Sequence, residues 1–346
     1  MLTPLVSILI PAFNAQEWIA DTLLSAIGQT WERKEIIVVD DGSTDDTLAI
    51  ARGFEPQGVR VVTQANQGAA ASRNKAFSLS KGDYIQWLDA DDLLAPDKIA
   101  KQMEARRLCR SNMTLLSSAW GQFMYRAHRA NFLPTALWRD LSPTEWLVCK
   151  MGQNLHMQTA TWLVSRELTH AAGPWDTRLL GDDDGEYFCR ILLASDGVRF
   201  VPEAKVYYRT SGPTSLSYLG RAQHKLDAQW VSMQLHIGYL RSLENSQRVQ
   251  VACLTYLQNW LIYFYPERPD IVEQAEAMAG NLGGRLRVPR LSWKYSWLAM
   301  VVGCRLTKRI QLRARQMKSS LVRAWDRVLF RIERPRPLER SSSRPA

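Results

Sequence analysis

The clearest indication of the fold class is Ile36-Ile37-Val38-Val39-Asp40-Asp41-Gly42-Ser43, in which an uninterrupted apolar run passes directly into an acidic turn. A short apolar run of this kind is typical of a strand buried on both faces of a parallel sheet. Similar runs cover Val6–Ile10, Arg60–Thr63 and Tyr84–Leu88. Strands that alternate with helices predict an α/β fold with a mostly parallel sheet. The predicted helices are Glu17–Ile27, Asp45–Arg52, Gly68–Leu79 and Pro96–Leu108.

Polar clusters follow three of these strands at the point where each strand ends. Pro11-Ala12-Phe13-Asn14 follows the first, Asp40-Asp41-Gly42-Ser43 the second and Asp89-Ala90-Asp91-Asp92 the fourth. Ligands bind beyond the carboxyl ends of the strands in such sheets, so we expect the three loops to face one crevice. A dinucleotide-binding domain is a weaker interpretation, since its glycine fingerprint should follow the first strand, where this chain has Pro-Ala-Phe-Asn.

Several charged residues have both a structural and a functional interpretation. The adjacent carboxylates of Asp40 and Asp41 repel each other unless a donor or a cation is near. Arg73, about one and a half turns into a predicted helix, could reach an anionic ligand or pair with a nearby Asp. The acidic run Asp182–Glu186 either caps a helix or supplies a general base for a substrate hydroxyl.

Four separated segments resemble, in the right order, the motifs of glycosyltransferase family 2, the inverting nucleotide-sugar enzymes of the GT-A fold. They are Val6–Asn14, Val39–Ser43, Asn66–Asn74 and Asp89–Pro96, and Asp183–Arg190 is similar to the family's later Glu-Asp motif. The resemblance implies a Rossmann-like, mostly parallel sheet flanked by helices. It covers about residues 4–215 and leaves a helical C-terminal extension unexplained.

The resemblance implies a nucleotide pocket at the ends of the first two strands. Asp41 would receive the nucleotide base, and Pro11, Phe13 and Asn14 would line the same pocket, with Arg73 nearby. UDP is the nucleotide that this resemblance favours.

The remaining carboxylates would divide the chemistry between them. Asp89 would face the ribose and the donor sugar, and Asp91 would hold a divalent cation, Mg²⁺ or Mn²⁺, with Asp92 as a weaker candidate. Such hard ions use one or two carboxylates together with substrate phosphates. Asp184 takes the position of the family's catalytic base. Asp183 is the second choice, because Asp183-Asp184 stands where the family usually has Glu-Asp.

The composition is that of a folded protein with a sizeable core. The chain has 346 residues, of which 46% are hydrophobic. Its five cysteines lie 40 to 64 residues apart, a spacing that indicates free thiols in a reducing compartment. No signal peptide is expected at the N-terminus. The uncharged stretch Val249–Pro266 contains several polar residues and is predicted to be a buried helix, so no transmembrane helix is expected.

Three regions are predicted along the chain. A GT-A domain would cover residues 1–215, a helical region 216–303 and a basic tail 304–346, with a disordered end from Ser341. Within the first region, Arg199–Tyr208 is predicted to be a strand pair interrupted by Pro202, and Ser211-Gly212-Pro213 a mobile loop.

The net charge of +10 lies in the tail, where residues 304–346 contain 13 Lys or Arg and three Asp or Glu. Residues 305–332 place apolar side chains at near-helical spacing among these basic residues, which is typical of an amphipathic helix on an anionic membrane surface. The ten uncharged residues Tyr295–Cys304 could add a shallow anchor. A helix packed on its own domain is the alternative. We expect a cytoplasmic protein, bound peripherally to the cytoplasmic face of the membrane.

The expected function is transfer of a sugar from a nucleotide-sugar to a glycan or lipid-linked acceptor in cell-surface glycan synthesis. A sugar nucleotidyltransferase is an alternative, although its glycine-rich loop is absent after the first strand. A catalytically inactive relative is another. A basic nucleic-acid-binding protein is a third, and the charge neutrality of residues 1–303 argues against it, so no nucleic-acid partner is expected.

The aromatic residues of the middle segment either stack on sugars or, by the favoured interpretation, fill the core. They are Trp120, Phe123, Tyr125, Phe132, Trp138, Trp146 and Trp162.

Overall fold

The computed structural model describes residues 3–210, 223–289 and 293–333, and within them two sheets are surrounded by helices. The strands are β1 Val6–Ala12, β2 Lys34–Asp40, β3 Val59–Thr63, β4 Tyr84–Trp87, β5 Leu93–Leu94, β6 Thr114–Phe123, β7 Asn131–Phe132, β8 Val164–Ser165 and β9 Gly197–Arg209. The helices are α1 Ile19–Ile27, α2 Thr47–Arg52, α3 Ala69–Leu79, α4 Lys98–Arg106, α5 Pro143–Gln153, α6 Arg166–Ala172, α7 Asp183–Ala194, α8 Gln223–Leu243, α9 Gln247–Phe264, α10 Pro269–Asn281 and α11 Trp293–Glu333.

The first sheet has the strand order β3-β2-β1-β4-β8, and its first four strands are parallel. Strand β8 pairs antiparallel with β4. The predicted α/β fold is confirmed, and each predicted strand and helix of residues 6–108 is present within two residues of its expected ends. Because β1 lies between β2 and β4, the connections diverge from this point, and the loops that follow β1, β2 and β4 meet at one edge of the sheet.

The second sheet has the order β5-β9-β6-β7 and corrects one prediction. Residues 197–209 form one continuous strand and not a pair of strands. Opposite β6, the pairing moves from Ser118–Val201 to Ala119–Lys205, so Pro202 lies in a bulge. A proline has no N–H to donate to the ladder, and a bulge removes that requirement without ending the strand.

Helices α8 and α9 pack against α7 and α5 of the α/β unit, and α10 packs against α9. The predicted buried helix over Val249–Pro266 is confirmed by α9, in which Val249, Cys253 and Leu261 are almost fully buried. One hydrophobic cluster extends from Val6 to Leu282, so the core is continuous across the expected boundary near residue 215. The division into residues 1–215, 216–303 and 304–346 stays a prediction.

Helix α11 crosses the other expected boundary and bends at Gly303, whose φ of 80° and ψ of 157° interrupt the helical backbone. No helix among the described residues is long and apolar enough to cross a membrane. The cysteines whose side chains are described, Cys109, Cys149, Cys189 and Cys253, are free thiols. The expected mobile loop Ser211-Gly212-Pro213, the expected disordered end from Ser341 and most side chains of Tyr295–Cys304 lie outside the described residues.

Gly82→Ala is expected to destabilise the fold by about 2–4 kcal/mol. The Gly82 N–H donates to Ser7 Oγ over 2.8 Å where β4 enters the sheet beside β1. A Cβ at position 82 would lie 2.5 Å from the Ser7 backbone nitrogen, so the two strands would have to separate. The free energy of unfolding from urea titration measures this change.

The matched control is Gly238→Ala on the exposed side of α8, where a Cβ meets nothing within 4 Å. This change is expected to leave stability unchanged or raise it by up to about 1 kcal/mol, because Ala favours the helix. Equal effects of the two substitutions would contradict the close approach of β4 to β1.

Candidate active site

The loops after β1 and β2 are tied together by hydrogen bonds. Asn14 has a φ of 48°, a conformation that Asn tolerates better than most residues. Its backbone N–H donates to Ser43 Oγ over 3.0 Å, and its Oδ1 accepts from the Thr44 N–H over 2.9 Å. Phe13 beside it is 48% exposed and Pro11 is half-buried. Pro11, Phe13 and Asn14 therefore lie next to the acidic turn, as the sequence predicts.

Asp41 is buried at the N-terminus of α3. Its Oδ1 accepts from Gln64 Nε2 over 2.8 Å and from the Gln67 N–H over 3.0 Å, and its Oδ2 accepts from the Gly68 N–H over 2.7 Å. A carboxylate at a helix N-terminus satisfies N–H groups that have no partner within the helix. Asp41 therefore holds the start of the helix that carries Arg73, a structural role that the sequence did not indicate.

Arg73 connects two of the acidic motifs. Its Nη2 donates to Asp89 Oδ1 over 2.8 Å at the end of β4, and its Nη1 donates to Asp183 Oδ2 over 2.7 Å at the start of α7. Its guanidinium lies 4.3 Å from the ring centre of Trp175, which stacks on Tyr187 with ring centres 4.0 Å apart. Of the two interpretations open for Arg73, pairing with carboxylates is the one observed. We refer to the Asp89–Arg73–Asp183 contacts as the arginine bridge.

Burial and neighbouring charges shift the pKa values of the arginine bridge. Burial alone would lower the pKa of Arg73, but the carboxylates of Asp183 and Asp89 outweigh it and raise this pKa above its usual value. Burial raises the pKa of Asp183 to about 6; Arg73 opposes the rise, while Asp184 and Asp89 add to it. The single positive charge of Arg73 thus interacts with three carboxylates, those of Asp89, Asp183 and Asp184, so the crevice contains more acidic than basic groups at this point.

The three successive aspartates before α7 have different contacts. Asp182, with a left-handed φ of 55°, accepts hydrogen bonds from Gln229 Nε2 over 3.1 Å and from Ser232 Oγ over 2.7 Å on α8. Asp183 belongs to the arginine bridge. Asp184 accepts from Thr159 Oγ1 over 3.3 Å and from the Gly185 N–H over 2.9 Å. The three residues are therefore not interchangeable, although the sequence makes them look alike.

Asp92 has a structural role in the Asp89–Asp92 loop. It is fully buried, and its carboxylate accepts from the Arg209 backbone N–H over 2.7 Å and from Gln158 Nε2. Burial, followed by the nearby carboxylates of Asp91 and Asp89, raises the pKa of Asp92 well above its usual value. With its oxygens used by these donors, Asp92 is a poor candidate for a metal ligand.

Asp91 is half-buried, and its backbone carbonyl accepts from Arg209 Nε over 2.7 Å. No group of three or more His, Cys, Asp or Glu side chains suited to hold a metal ion occurs among the described residues. The carboxylate oxygens of Asp91 suit a hard ion such as Mg²⁺ or Mn²⁺, which can take one carboxylate from the protein and phosphate oxygens from a ligand.

Sequence reasoning missed four residues that shape the crevice: Gln158, Thr159, Trp175 and Arg209. None of the four belongs to a motif, and the partner of each lies far away along the chain. Only Trp175 could have been suspected from the sequence, because it lies just before the acidic run. The prediction that the aromatic residues of the middle segment are mostly core is confirmed. Trp120, Trp146 and Trp162 are at most 8% exposed.

Comparison with known proteins finds the same family over the N-terminal part of the chain. Residues 7–108 match the model described as glycosyl transferase family 2. An uncharacterized glycosyltransferase of Haemophilus influenzae is 41% identical over 106 residues, which are 30% of this chain and 42% of that protein. Chondroitin synthase of Escherichia coli is 44% identical over 99 residues, 28% of this chain and 14% of that protein. The chain therefore matches less than half of the length of either relative.

Solved structures show the same fold. Staphylococcus aureus TarS residues 1–349 in complex with UDP-GlcNAc superpose with a TM-score of 0.65 at 16% identity, covering 80% of this chain and 81% of that one. The mannosyltransferase PcManGT of Pyrobaculum calidifontis in complex with GDP-Man and Mn²⁺ gives a TM-score of 0.52 at 17% identity, covering 94% and 88%. The α/β fold of this chain is of the GT-A type, with a helical C-terminal region.

Asp183→Asn is expected to change how stability depends on pH. Because the pKa of Asp183 in the folded chain is raised to about 6 from 3.8, the folded state binds this proton more tightly than the unfolded state. Its contribution to stability is therefore largest at low pH and falls as pH rises through about 6. The difference in unfolding free energy, wild type minus variant, should fall by roughly 3 kcal/mol or less between about pH 4 and pH 7.

Urea titrations of the two proteins over this pH range measure the difference. A difference that rises with pH would mean that Arg73 outweighs burial and would contradict the raised pKa of Asp183.

Proposed function

We propose that this chain is an inverting glycosyltransferase that moves a sugar from a nucleotide-sugar, a UDP-sugar in the first instance, to an acceptor hydroxyl in cell-surface glycan synthesis. The observation that carries the proposal is the arginine bridge, which joins the loop after β4 to the start of α7 beside the ends of the parallel strands. The match of residues 7–108 to family 2, the relationship to a chondroitin synthase and the likeness to a UDP-GlcNAc complex support it.

The nucleotide would lie across the ends of β1 and β2. Phe13 offers an exposed aromatic face for the base, and Pro11 and Asn14 bound the same space beside the loop of Asp41. The Asp41 carboxylate already has three protein donors, so its contact with a base would add to these bonds or replace one of them. The diphosphate and sugar would then extend toward Asp89.

Asp89 and Asp91 would act on the donor from the loop after β4. Asp89 keeps 29% of its side chain exposed while one oxygen pairs with Arg73, so its other oxygen can accept from a sugar or ribose hydroxyl. Asp91 would hold Mg²⁺ or Mn²⁺, which when bound neutralises charge on the departing nucleoside diphosphate. The arginine bridge fixes Asp89 relative to the residues of α7.

Asp184 would be the general base. Its carboxylate is held by the Thr159 hydroxyl, whereas one oxygen of Asp183 is paired with the guanidinium of Arg73. Asp184 would take the proton of the acceptor hydroxyl as that oxygen bonds to the anomeric carbon, and the bond from this carbon to the diphosphate oxygen would break on the opposite face. Attack from the opposite face in one step inverts the anomeric centre.

Asp91→Ala is expected to abolish metal-dependent binding of the donor. In a thermal-shift screen of UDP-, GDP- and dTDP-sugars, one nucleotide class should raise the melting temperature with Mn²⁺ present, because ligands that bind the folded state stabilise it. That rise should be absent in Asp91→Ala and retained in Asp97→Ala, an aspartate near α4 whose side chain is 45% exposed. A metal-dependent rise that survives Asp91→Ala would contradict the assignment of the metal contact.

Asp184→Asn is expected to lower kcat by about 10²- to 10⁴-fold, the usual contribution of a general base. The amide keeps the size of the side chain but cannot take a proton. Release of nucleoside diphosphate from the donor identified in the screen measures turnover, and donor binding should be unchanged. Near wild-type turnover in Asp184→Asn, together with loss of turnover in Asp183→Asn, would assign the base to Asp183.

A further inference from the structure

The C-terminal part of α11 exposes a stripe of large apolar side chains. Met317, Leu321, Trp325 and Ile332 are 65–73% exposed, and Val328 is 46% exposed. Their spacing of three or four residues places all five on one face of the helix. We refer to these five residues as the apolar stripe. Apolar residues scattered singly on a surface are ordinary, whereas an aligned set that includes a tryptophan marks an interaction surface.

The opposite face of the same helix holds α11 to the protein body. Asp326 pairs with Arg126 Nε over 2.8 Å and accepts from the Tyr125 N–H over 2.9 Å. Glu333 pairs with Arg126 Nη1 over 2.7 Å. Nearer the bend at Gly303, Lys308 Nζ lies 2.8 Å from Glu267 Oε2. The helix is thus fixed at two places by its polar side, so the outward direction of its apolar stripe is imposed by the structure.

The basic residues of the C-terminal segment indicate an anionic partner for the apolar stripe. Residues 304–346 carry the whole net charge of +10 of the chain, and the two acidic residues between 317 and 333, Asp326 and Glu333, are turned onto Arg126. An apolar stripe surrounded by basic residues suits the interface of a bilayer with anionic lipid headgroups. We propose that the apolar stripe inserts into the surface of an anionic membrane while the polar face keeps α11 attached to the protein.

The attachment would also orient the candidate active site. The Tyr125 ring, next to the anchoring point of α11, lies 5.3 Å from the Trp18 ring, and the Arg209 guanidinium lies 4.3 Å from the same Trp18 ring. Arg209 Nε in turn donates to the Asp91 carbonyl. A short series of contacts therefore connects α11 to the Asp91 side of the crevice. An acceptor hydroxyl carried by a lipid would be presented there, an extension that rests on the proposed function.

Sedimentation of the full-length chain with lipid vesicles tests the membrane contact without any need for catalysis. The protein should pellet with vesicles of mixed phosphatidylglycerol and phosphatidylcholine and stay in the supernatant with phosphatidylcholine alone. Leu321→Ser combined with Trp325→Ser should weaken binding to the mixed vesicles by at least about tenfold, because two large apolar side chains no longer leave water. Both residues are exposed, so the fold should be retained, as circular dichroism would verify.

The matched control is Leu108→Ser combined with Leu133→Ser, two leucines that are 77% and 64% exposed outside α11. It should bind vesicles as the wild type does. Unchanged binding of the Leu321→Ser/Trp325→Ser protein, or equal binding to neutral vesicles, would overturn the proposal. It would also be overturned if light scattering showed a wild-type dimer that the double substitution dissociates while vesicle binding stays the same, since a second copy would then be the partner of the stripe.

Discussion

The arginine bridge is the contact on which the candidate active site depends. The ends of β4 and α7 are far apart in sequence, and Arg73 holds them together by pairing with Asp89 and Asp183 at once. Removing one partner of a buried ion pair leaves an uncompensated charge and costs several kcal/mol, so the arrangement is strongly constrained. The stacked rings of Trp175 and Tyr187 support the guanidinium from the side and limit its movement. The main effect of such a buried pair is to fix the positions of Asp89 and Asp183, rather than to raise the net stability of the fold.

The carboxylates around the arginine bridge differ in burial and in the partners that hold them. Asp182 is held by α8, and Asp92 is buried between the Arg209 N–H and Gln158. Asp89, Asp91 and Asp184 remain partly exposed around the bridge. An acidic crevice with one buried guanidinium is suited to a ligand that brings its own cation with its phosphates. Because the fold gives these aspartates different partners and exposures, they can take the different roles that the proposed sugar transfer requires.

Local sequence patterns predicted the four parallel strands of the first sheet and the helices α1 to α4, because each of these elements has a recognisable pattern of apolar residues. Features that depend on distant partners were beyond such reasoning. The bulge at Pro202 needs β6 opposite it, and the pairing of Arg73 needs Asp183 to be brought beside it by α7. The motifs point to the carboxylates of the candidate site, but the distinct contacts of Asp182, Asp183 and Asp184 arise only from packing against α3, α8 and Thr159.

Crystals of the chain soaked with UDP and Mn²⁺, with data collected at the manganese absorption edge, would show where the nucleotide and the cation bind. We predict an anomalous peak about 2.0–2.3 Å from an Asp91 carboxylate oxygen and beside the diphosphate, with the base near Asp41 and the arginine bridge intact. A nucleotide bound elsewhere, or a manganese ion that contacts neither Asp91 nor the diphosphate, would mean that this crevice is not the donor site.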